Sequence, residues 1–96
     1  MQIIVVYDIT SNKIRTKIAD ICADYGLDRV QYSAFAGDLA RVYQEEMMEK
    51  IGQRLGKQPG KVNLYPICEK DWRNRIEILR EPSPEGEKRD VDVASE

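Results

Sequence analysis

The hydrophobic pattern opens with a run of aliphatic residues close to the start of the chain. Residues 3–6 read Ile-Ile-Val-Val, and the run continues through Tyr7 and Asp8 to Ile9. Successive β-branched residues are typical of a strand buried on both faces, so we expect this strand in the middle of a sheet. Asp8 lies at its carboxyl end, where it either begins the turn through residues 10–12 or takes part in chemistry. The spacing alone leaves both interpretations open.

Two later segments carry apolar residues at the helical period. The first is predicted to begin near Lys13, with Ser11 or Asn12 as its N-cap and Gly26 just after its end. Its apolar face is predicted to be Ile14, Ile18, Ile21, Cys22 and Tyr25. The second helix is predicted to end at Gly56. Its apolar face is predicted to be Leu39, Val42, Tyr43, Met47, Ile51 and Leu55. Both segments therefore predict amphipathic helices.

Residues 29–36 alternate in the manner of a strand, which either bends or folds into a hairpin before Gly37. One predicted face holds Val30, Tyr32, Ala34 and Ala36, and the other holds Arg29, Gln31, Ser33 and Phe35. The second face is either solvated or meets a partner or a nucleic acid, with Phe35 as an apolar anchor.

Residues 61–67 predict a further strand, in which Pro66 favours the strand end or an edge position. A charged link that contains Trp72 follows, and residues 75–80 alternate as a short last strand. The order of elements predicts an α+β fold, a ferredoxin-like split βαβ sandwich with two helices on one face of an antiparallel sheet. The other face needs a cover, so we expect a homodimer in which the last strand pairs across the interface.

Charge divides the chain into two parts. Residues 81–96 contain two prolines, one glycine, six acidic residues and two basic residues, which predicts a disordered tail after a domain that spans residues 1–80. The net charge of the whole chain is −2, so residues 1–80 carry a net charge of +2. This mildly basic body is compatible with nucleic-acid binding without requiring it.

The 96 residues contain no histidine, which excludes histidine-based catalytic triads and nearly all zinc hydrolase sites. Cys22 and Cys68 lie far apart and form no metal-binding motif, and Cys22 reads as a small core residue. No signal-peptide pattern follows Met1, and no apolar run approaches the length of a membrane span, so we expect a cytoplasmic protein.

Candidate chemistry converges on the loop after Asp8. Arg15 and Lys17 lie in the first turns of the first helix, where positive charge opposes the helix dipole, and this suggests an anionic ligand nearby.

Four segments in this order and spacing resemble the Cas-two family, the small CRISPR-associated proteins of spacer acquisition. The matching segments are residues 5–9, Arg15, residues 25–35 followed by Gly37, and residues 64–68. The resemblance covers residues 2–80 and leaves out the acidic tail.

This resemblance implies a ferredoxin-like homodimer that works beside the CRISPR integrase in antiviral defence and binds double-stranded DNA or RNA. Some members of the family are metal-dependent endonucleases, so the resemblance also implies a divalent cofactor such as Mg²⁺.

The resemblance also assigns residues. It places the metal-associated catalytic aspartate at Asp8 and its catalytic neighbour at Tyr7. The nucleic-acid-binding positions that it implies are Arg15, Lys17, Arg29 and Phe35, with lysine at position 17 where many members have arginine.

Three functions stay open from the sequence. The first is an Mg²⁺-dependent phosphodiesterase, and the second is a non-catalytic scaffold that binds nucleic acid and bridges the integrase. The third is a toxin-type ribonuclease or regulatory module outside CRISPR. The tail either docks on the integrase or only keeps the protein in solution.

Overall fold

The computed structural model describes residues 1–82, which form a four-stranded sheet and three helices. The elements in chain order are β1 (Gln2–Ile9), α1 (Asn12–Asp24), β2 (Asp28–Gln31), β3 (Ala34–Asp38), α2 (Arg41–Leu55), β4 (Gly60–Ile67) and α3 (Glu69–Arg73). The predicted disordered tail, residues 81–96, lies outside the described residues from position 83 onward.

The sheet is antiparallel with the strand order β2-β3-β1-β4, so the aliphatic run of β1 is central, as predicted. In the register of the sheet, Val5 lies between Phe35 of β3 and Leu64 of β4. Together with the two long helices, this order is the ferredoxin-like α+β architecture that the sequence predicts.

Alternate residues of β1 build the core. Ile3, Val5, Tyr7 and Ile9 are at most 3% exposed and face the helices. The helices contribute Ile18 and Cys22 from α1, and Met47 and Ile51 from α2. Each fully buried aliphatic side chain of this size contributes about 1.5–3 kcal/mol to folding. The intervening residues of β1, Ile4, Val6 and Asp8, lie on the opposite side, which we call the open face.

The ends of α1 follow the sequence signals closely. The Ser11 hydroxyl accepts a hydrogen bond from the Ile14 backbone N–H at 3.2 Å, so Ser11 rather than Asn12 is the N-cap. Gly26 has a φ of 85°, and its N–H donates to the Ala23 carbonyl at 2.9 Å. A left-handed residue at this point ends the helix and turns the chain into β2.

The segment 29–36 is a hairpin whose turn lies at Tyr32 and Ser33, between β2 and β3. Arg29 is in register with Phe35, so these two side chains share a face, as predicted. That face is the one that the helices cover, and Phe35 is only 4% exposed. Phe35 is therefore packed in the core of the chain, where it is not available as an apolar anchor for a partner. Arg29 stays exposed because β2 is an edge strand.

Helix α2 buries Met47 and Ile51 of the predicted stripe, and Leu55 packs partly buried against the core, but two predicted positions lie outside the buried face. Val42 and Tyr43 are 63% and 51% exposed, whereas Gln44 is only 1% exposed. The Gln44 amide donates to the Leu39 carbonyl at 2.7 Å and accepts from Arg41 at 3.1 Å. A satisfied glutamine can occupy a core position, so apolar character alone does not define the buried face.

The end of the described chain also differs from its prediction. The charged link is largely the short helix α3, and residues 75–80 form no strand within the single chain. They run along the open face and enclose with it a groove of about 540 Å³. Ile76, Ile78 and Leu79 are 92%, 76% and 72% exposed. Strand pairing of this segment across a dimer stays a prediction.

Within residues 1–82, none of the helices has the length and apolar content that crossing a membrane requires.

Candidate functional site

Asp8 lies at the carboxyl end of the central strand, with its side chain exposed on the open face. In the register between β1 and β4 it is paired with Lys61, which is also exposed. The loop of residues 10 and 11 follows immediately and leads into α1. Asp8 is therefore an accessible carboxylate on a rigid strand, with a cation on the neighbouring strand.

Tyr7 does not accompany Asp8. Successive side chains of a strand point to opposite faces, so Tyr7 enters the core on the helix side. It is 3% exposed and stacks on Phe35, with 6.5 Å between ring centroids and 22° between planes. The Tyr7 hydroxyl is buried without a hydrogen-bond partner among the described residues. The structure therefore places the two residues predicted to be catalytic, Tyr7 and Asp8, on opposite faces of the sheet.

Arg15 is engaged within the chain. Its Nη1 donates to the carbonyls of Ile9, at 2.8 Å, and Thr10, at 3.4 Å. Its Nη2 donates to the Asn12 side-chain oxygen and to the Tyr32 hydroxyl, the latter at 2.9 Å. The predicted nucleic-acid-binding arginine thus holds together the end of β1, the start of α1 and the hairpin turn.

Arg29 lies beside this cluster on β2. Its guanidinium carbon is 5.2 Å from the centroid of the Phe35 ring and 6.0 Å from that of Tyr32. Aromatic faces attract a guanidinium and leave its N–H edge available for an anion. Phe35 therefore supports Arg29 from the core instead of contacting a ligand directly.

A cleft of about 370 Å³ opens between the start of α1 and the hairpin. It is lined by Asn12, Arg15, Thr16, Arg29 and Tyr32. Lys17 is exposed on α1 and does not line this cleft. The sequence did not single out Tyr32 or Thr16 as site residues, because only the hairpin turn brings Tyr32 to the first turns of α1. The cleft has the charge and hydrogen-bond donors to accept a phosphate group.

Few potential metal ligands lie together in the described part of the chain. Within residues 1–82, no group of three potential metal-ligating side chains of the Cys, Asp and Glu types comes together. Asp8 is a suitable oxygen donor for Mg²⁺, which often takes one or two carboxylates and completes its shell with water and phosphate. A divalent metal at Asp8 would therefore need further ligands from water, from a nucleic acid or from another copy of the chain.

Comparison with known proteins places this geometry in a family. A family model described as CRISPR associated protein Cas2 matches residues 1–75. The chain is 44% identical over 73 residues to the CRISPR-associated endoribonuclease Cas2 of Desulforudis audaxviator strain MP104C, which covers 76% of this chain and 69% of that protein. It is also 33% identical over 82 residues to a Cas1/Cas2 endonuclease fusion of Thermoproteus tenax, which covers 85% of this chain and 31% of the fusion.

The fold agrees with the sequence comparison. The crystal structure of Streptococcus pyogenes Cas2 at pH 6.5 superposes with a TM-score of 0.70 at 26% identity, over 83% of this chain and 100% of that one. The family match extends over most of the chain and includes every strand of the described sheet. The chain therefore belongs to the CRISPR-associated Cas2 family.

Proposed function

We propose that this chain is a nucleic-acid phosphodiesterase of CRISPR adaptation that acts as a homodimer beside the integrase. The observation that carries the proposal is the exposed carboxylate of Asp8 at the end of the central strand. The name endoribonuclease, given to the Desulforudis relative, supports RNA as a substrate. The fusion in Thermoproteus tenax supports Cas1 as the partner.

The open face supports the dimer. It carries Ile4, Val6 and Asp8 of β1, and the segment that crosses it has three largely exposed apolar side chains. An apolar face of this kind is stabilised when a second copy covers it. A two-fold axis that passes close to the carboxyl end of β1 would bring the two Asp8 side chains toward each other, because only residues near the axis of an isologous interface meet their own copies.

Asp8 and Arg29 lie on opposite faces of the sheet, so they would contact different parts of a bound nucleic acid. Arg29 would hold a phosphate of the nucleic acid through its N–H edge, while the Asp8 carboxylate would orient the attacking water. A magnesium ion bound by the Asp8 pair would stabilise charge on the phosphate and lower the pKa of water. Because the chain has no histidine, the proton would pass to solvent or to Asp8 itself.

The test is the substitution Asp8→Asn, which keeps the shape of the side chain and removes its charge. We expect RNA cleavage to fall by about 10²–10⁴-fold, the range typical of a lost acid–base or metal-binding group, while the dimer persists. Asp20→Asn, at an exposed position of α1, is the matched control and should leave cleavage unchanged. Full cleavage by purified Asp8→Asn protein would contradict the proposal.

A second candidate is a non-catalytic scaffold that holds DNA for the integrase. The observation in its favour is that, within residues 1–82, no three Cys, Asp or Glu side chains come together as candidate metal ligands. It predicts duplex binding that weakens steeply with salt, and spacer acquisition in cells that survives Asp8→Asn. Loss of acquisition in the Asp8→Asn strain, with protein levels and the dimer maintained, would favour the phosphodiesterase instead.

A further inference from the structure

We infer that Arg15 is a positioning residue that holds the loop after Asp8 together with Tyr32, and that phosphate contact falls to Arg29 instead. The inference rests on the proposed function, because it concerns how that same site is organised. It departs from the sequence-based assignment of Arg15 as a nucleic-acid ligand.

The hydrogen bonds of Arg15 are the first argument. A guanidinium has five N–H donors, four of them on the two Nη atoms. Nη1 donates to Ile9 and Thr10, and Nη2 donates to Asn12 and Tyr32, so four acceptors match the four Nη donors. Only the Nε donor is left for a ligand. A phosphate could form the bidentate contact that makes arginine effective only by displacing acceptors of the chain itself.

The location of those acceptors is the second argument. Ile9 and Thr10 are the first two residues after Asp8, so the Nη1 bonds fix the backbone that follows the carboxylate. Asn12 begins α1, and Tyr32 belongs to the hairpin turn. The same turn is tied to the strand by the Tyr7 N–H, which donates to the Ser33 carbonyl at 3.0 Å. Arg15 thereby joins the Asp8 loop to an element that is itself anchored on β1.

The hydroxyl of Tyr32 is the one group in this connection that a substitution can remove without disturbing the core. Its hydroxyl accepts from Arg15 at 2.9 Å, and its ring centroid is 5.2 Å from the Arg15 guanidinium carbon. Its side chain is otherwise exposed, so removing the hydroxyl leaves the core intact. We call this contact the Arg15–Tyr32 bridge.

Arg29 differs from Arg15 in the hydrogen bonding of its guanidinium. No hydrogen bond or ion pair joins its guanidinium to another group among the described residues, and only the rings of Phe35 and Tyr32 lie against it. Its donors therefore face the cleft without intramolecular competition.

Salt dependence of duplex binding separates the two roles. Each phosphate neutralised by the protein contributes about 0.9 to the slope of log K against log salt concentration. We expect Arg29→Gln to lower the magnitude of this slope by about 0.9, and Arg15→Gln to leave it near that of the unmodified protein. Arg54→Gln, near the end of α2, is the control for simple loss of a surface charge. A decrease of about 0.9 for Arg15→Gln would overturn the inference.

Tyr32→Phe tests the bridge without changing any charge. We expect hydrogen exchange at the Ile14 and Arg15 amides, whose hydrogen bonds to Ser11 join the loop to α1, to accelerate about three- to tenfold, as for the loss of one hydrogen bond. We also expect a lower kcat for cleavage with an unchanged KM, because the carboxylate is less well placed while binding is kept. Tyr43→Phe, an exposed tyrosine of α2, should change neither quantity.

Unchanged exchange in Tyr32→Phe would overturn the inference. The exchange measurement needs no nucleic acid, so it decides on the bridge even if Asp8→Asn shows that the protein does not cleave. Absence of any Asp8-dependent cleavage, with exchange accelerated as expected, would refute the proposed function and leave the bridge standing.

Discussion

At the scale of the residue, the buried hydroxyl of Tyr7 is an energetic cost in the fold. It lies in the core without a hydrogen-bond partner among the described residues. Leaving such a group unsatisfied costs roughly 1–3 kcal/mol, which phenylalanine avoids while keeping the ring contact with Phe35. We therefore expect Tyr7→Phe to raise the free energy of unfolding by about 1 kcal/mol and to retain cleavage.

Urea unfolding of Tyr7→Phe and Tyr25→Phe checks this. The Tyr25 hydroxyl donates to the Glu46 carboxylate, so its removal should lower stability slightly or leave it unchanged. A Tyr7→Phe protein that folds normally and cleaves no RNA would contradict the structural assignment and restore Tyr7 to the catalytic group.

The Cys22 thiol makes the free energy of unfolding depend on pH in the alkaline range. Burial raises the pKa of its thiol from 9.0 to about 11, and the charge of Arg29 lowers it only in part. The folded state keeps its proton longer than the unfolded state does. Stability from this residue is therefore complete below about pH 9 and is lost as the pH rises toward 11.

We expect the unfolding free energy to fall by roughly 2 kcal/mol more in the unmodified protein than in Cys22→Ala between pH 8 and about 10.5. Denaturant titrations at both pH values measure this difference. An equal decrease in the two proteins would show that other groups control the alkaline transition.

The location of a candidate site residue could be predicted from the sequence where that residue lies at the end of a strand. Asp8 follows from the buried run and its carboxyl end, which sequence alone locates. Period-two alternation correctly placed Arg29 and Phe35 on one face, but it does not say which face the helices cover. The burial of Phe35 could not be predicted for that reason, whereas Tyr7 was assigned by the family resemblance, which does not say which face of β1 its side chain takes. Tyr32 gains its role from a contact with Arg15, 17 positions away in sequence, which no local pattern encodes.

At the scale of the element, the glycine after α1 and the glycine inside α2 differ in backbone conformation, so they tolerate an added β-carbon differently. Gly26, after α1, has a φ of 85°, which costs a residue with a β-carbon about 1–2 kcal/mol. Gly52, inside α2, has ordinary helical geometry, and an added β-carbon meets nothing within 4 Å. We expect Gly26→Ala to lower stability by about 1 kcal/mol, and Gly52→Ala to raise it by about 0.5–1 kcal/mol.

Thermal unfolding of the two variants is a matched comparison, since both add the same methyl group. Equal shifts of Tm in the same direction would show that the left-handed conformation of Gly26 is not what ends α1.

The elements themselves were largely predictable, with errors where the local signals are weak. The helical period and the flanking Ser11 and Gly26 define α1 almost to the residue. The β2–β3 turn contains Tyr32 and Ser33, without the Gly or Asn that usually announces a two-residue hairpin, so the sequence could not decide between a bend and a turn. Gln44 was not among the residues of the predicted apolar face, although it is buried and its amide is satisfied in the core by a carbonyl and an arginine.

At the scale of the whole molecule, the open face is the feature that a single chain leaves incompletely covered. Ile78 is 76% exposed in the segment that crosses it. Burying one isoleucine from each of two protomers contributes about 3–6 kcal/mol. We therefore expect Ile78→Asp to weaken self-association by at least about a hundredfold.

Sedimentation over a range of concentrations measures this effect. Val42→Asp is the control, because Val42 is similarly exposed but lies on α2, away from the open face. Self-association that Ile78→Asp leaves intact and Val42→Asp disrupts would place the interface on the helices instead.

The position of β4 at the edge of the sheet has a consequence for what can attach there. The Tyr7 N–H points toward β3, so its register partner Val62 directs its own backbone groups away from β1, and so do Leu64 and Pro66 at the same spacing. The outer edge thus offers donors at Val62 and Leu64, but none at Pro66, which has no N–H. An added strand would find a hydrogen-bonding template that stops at Pro66, which limits both its register and its length.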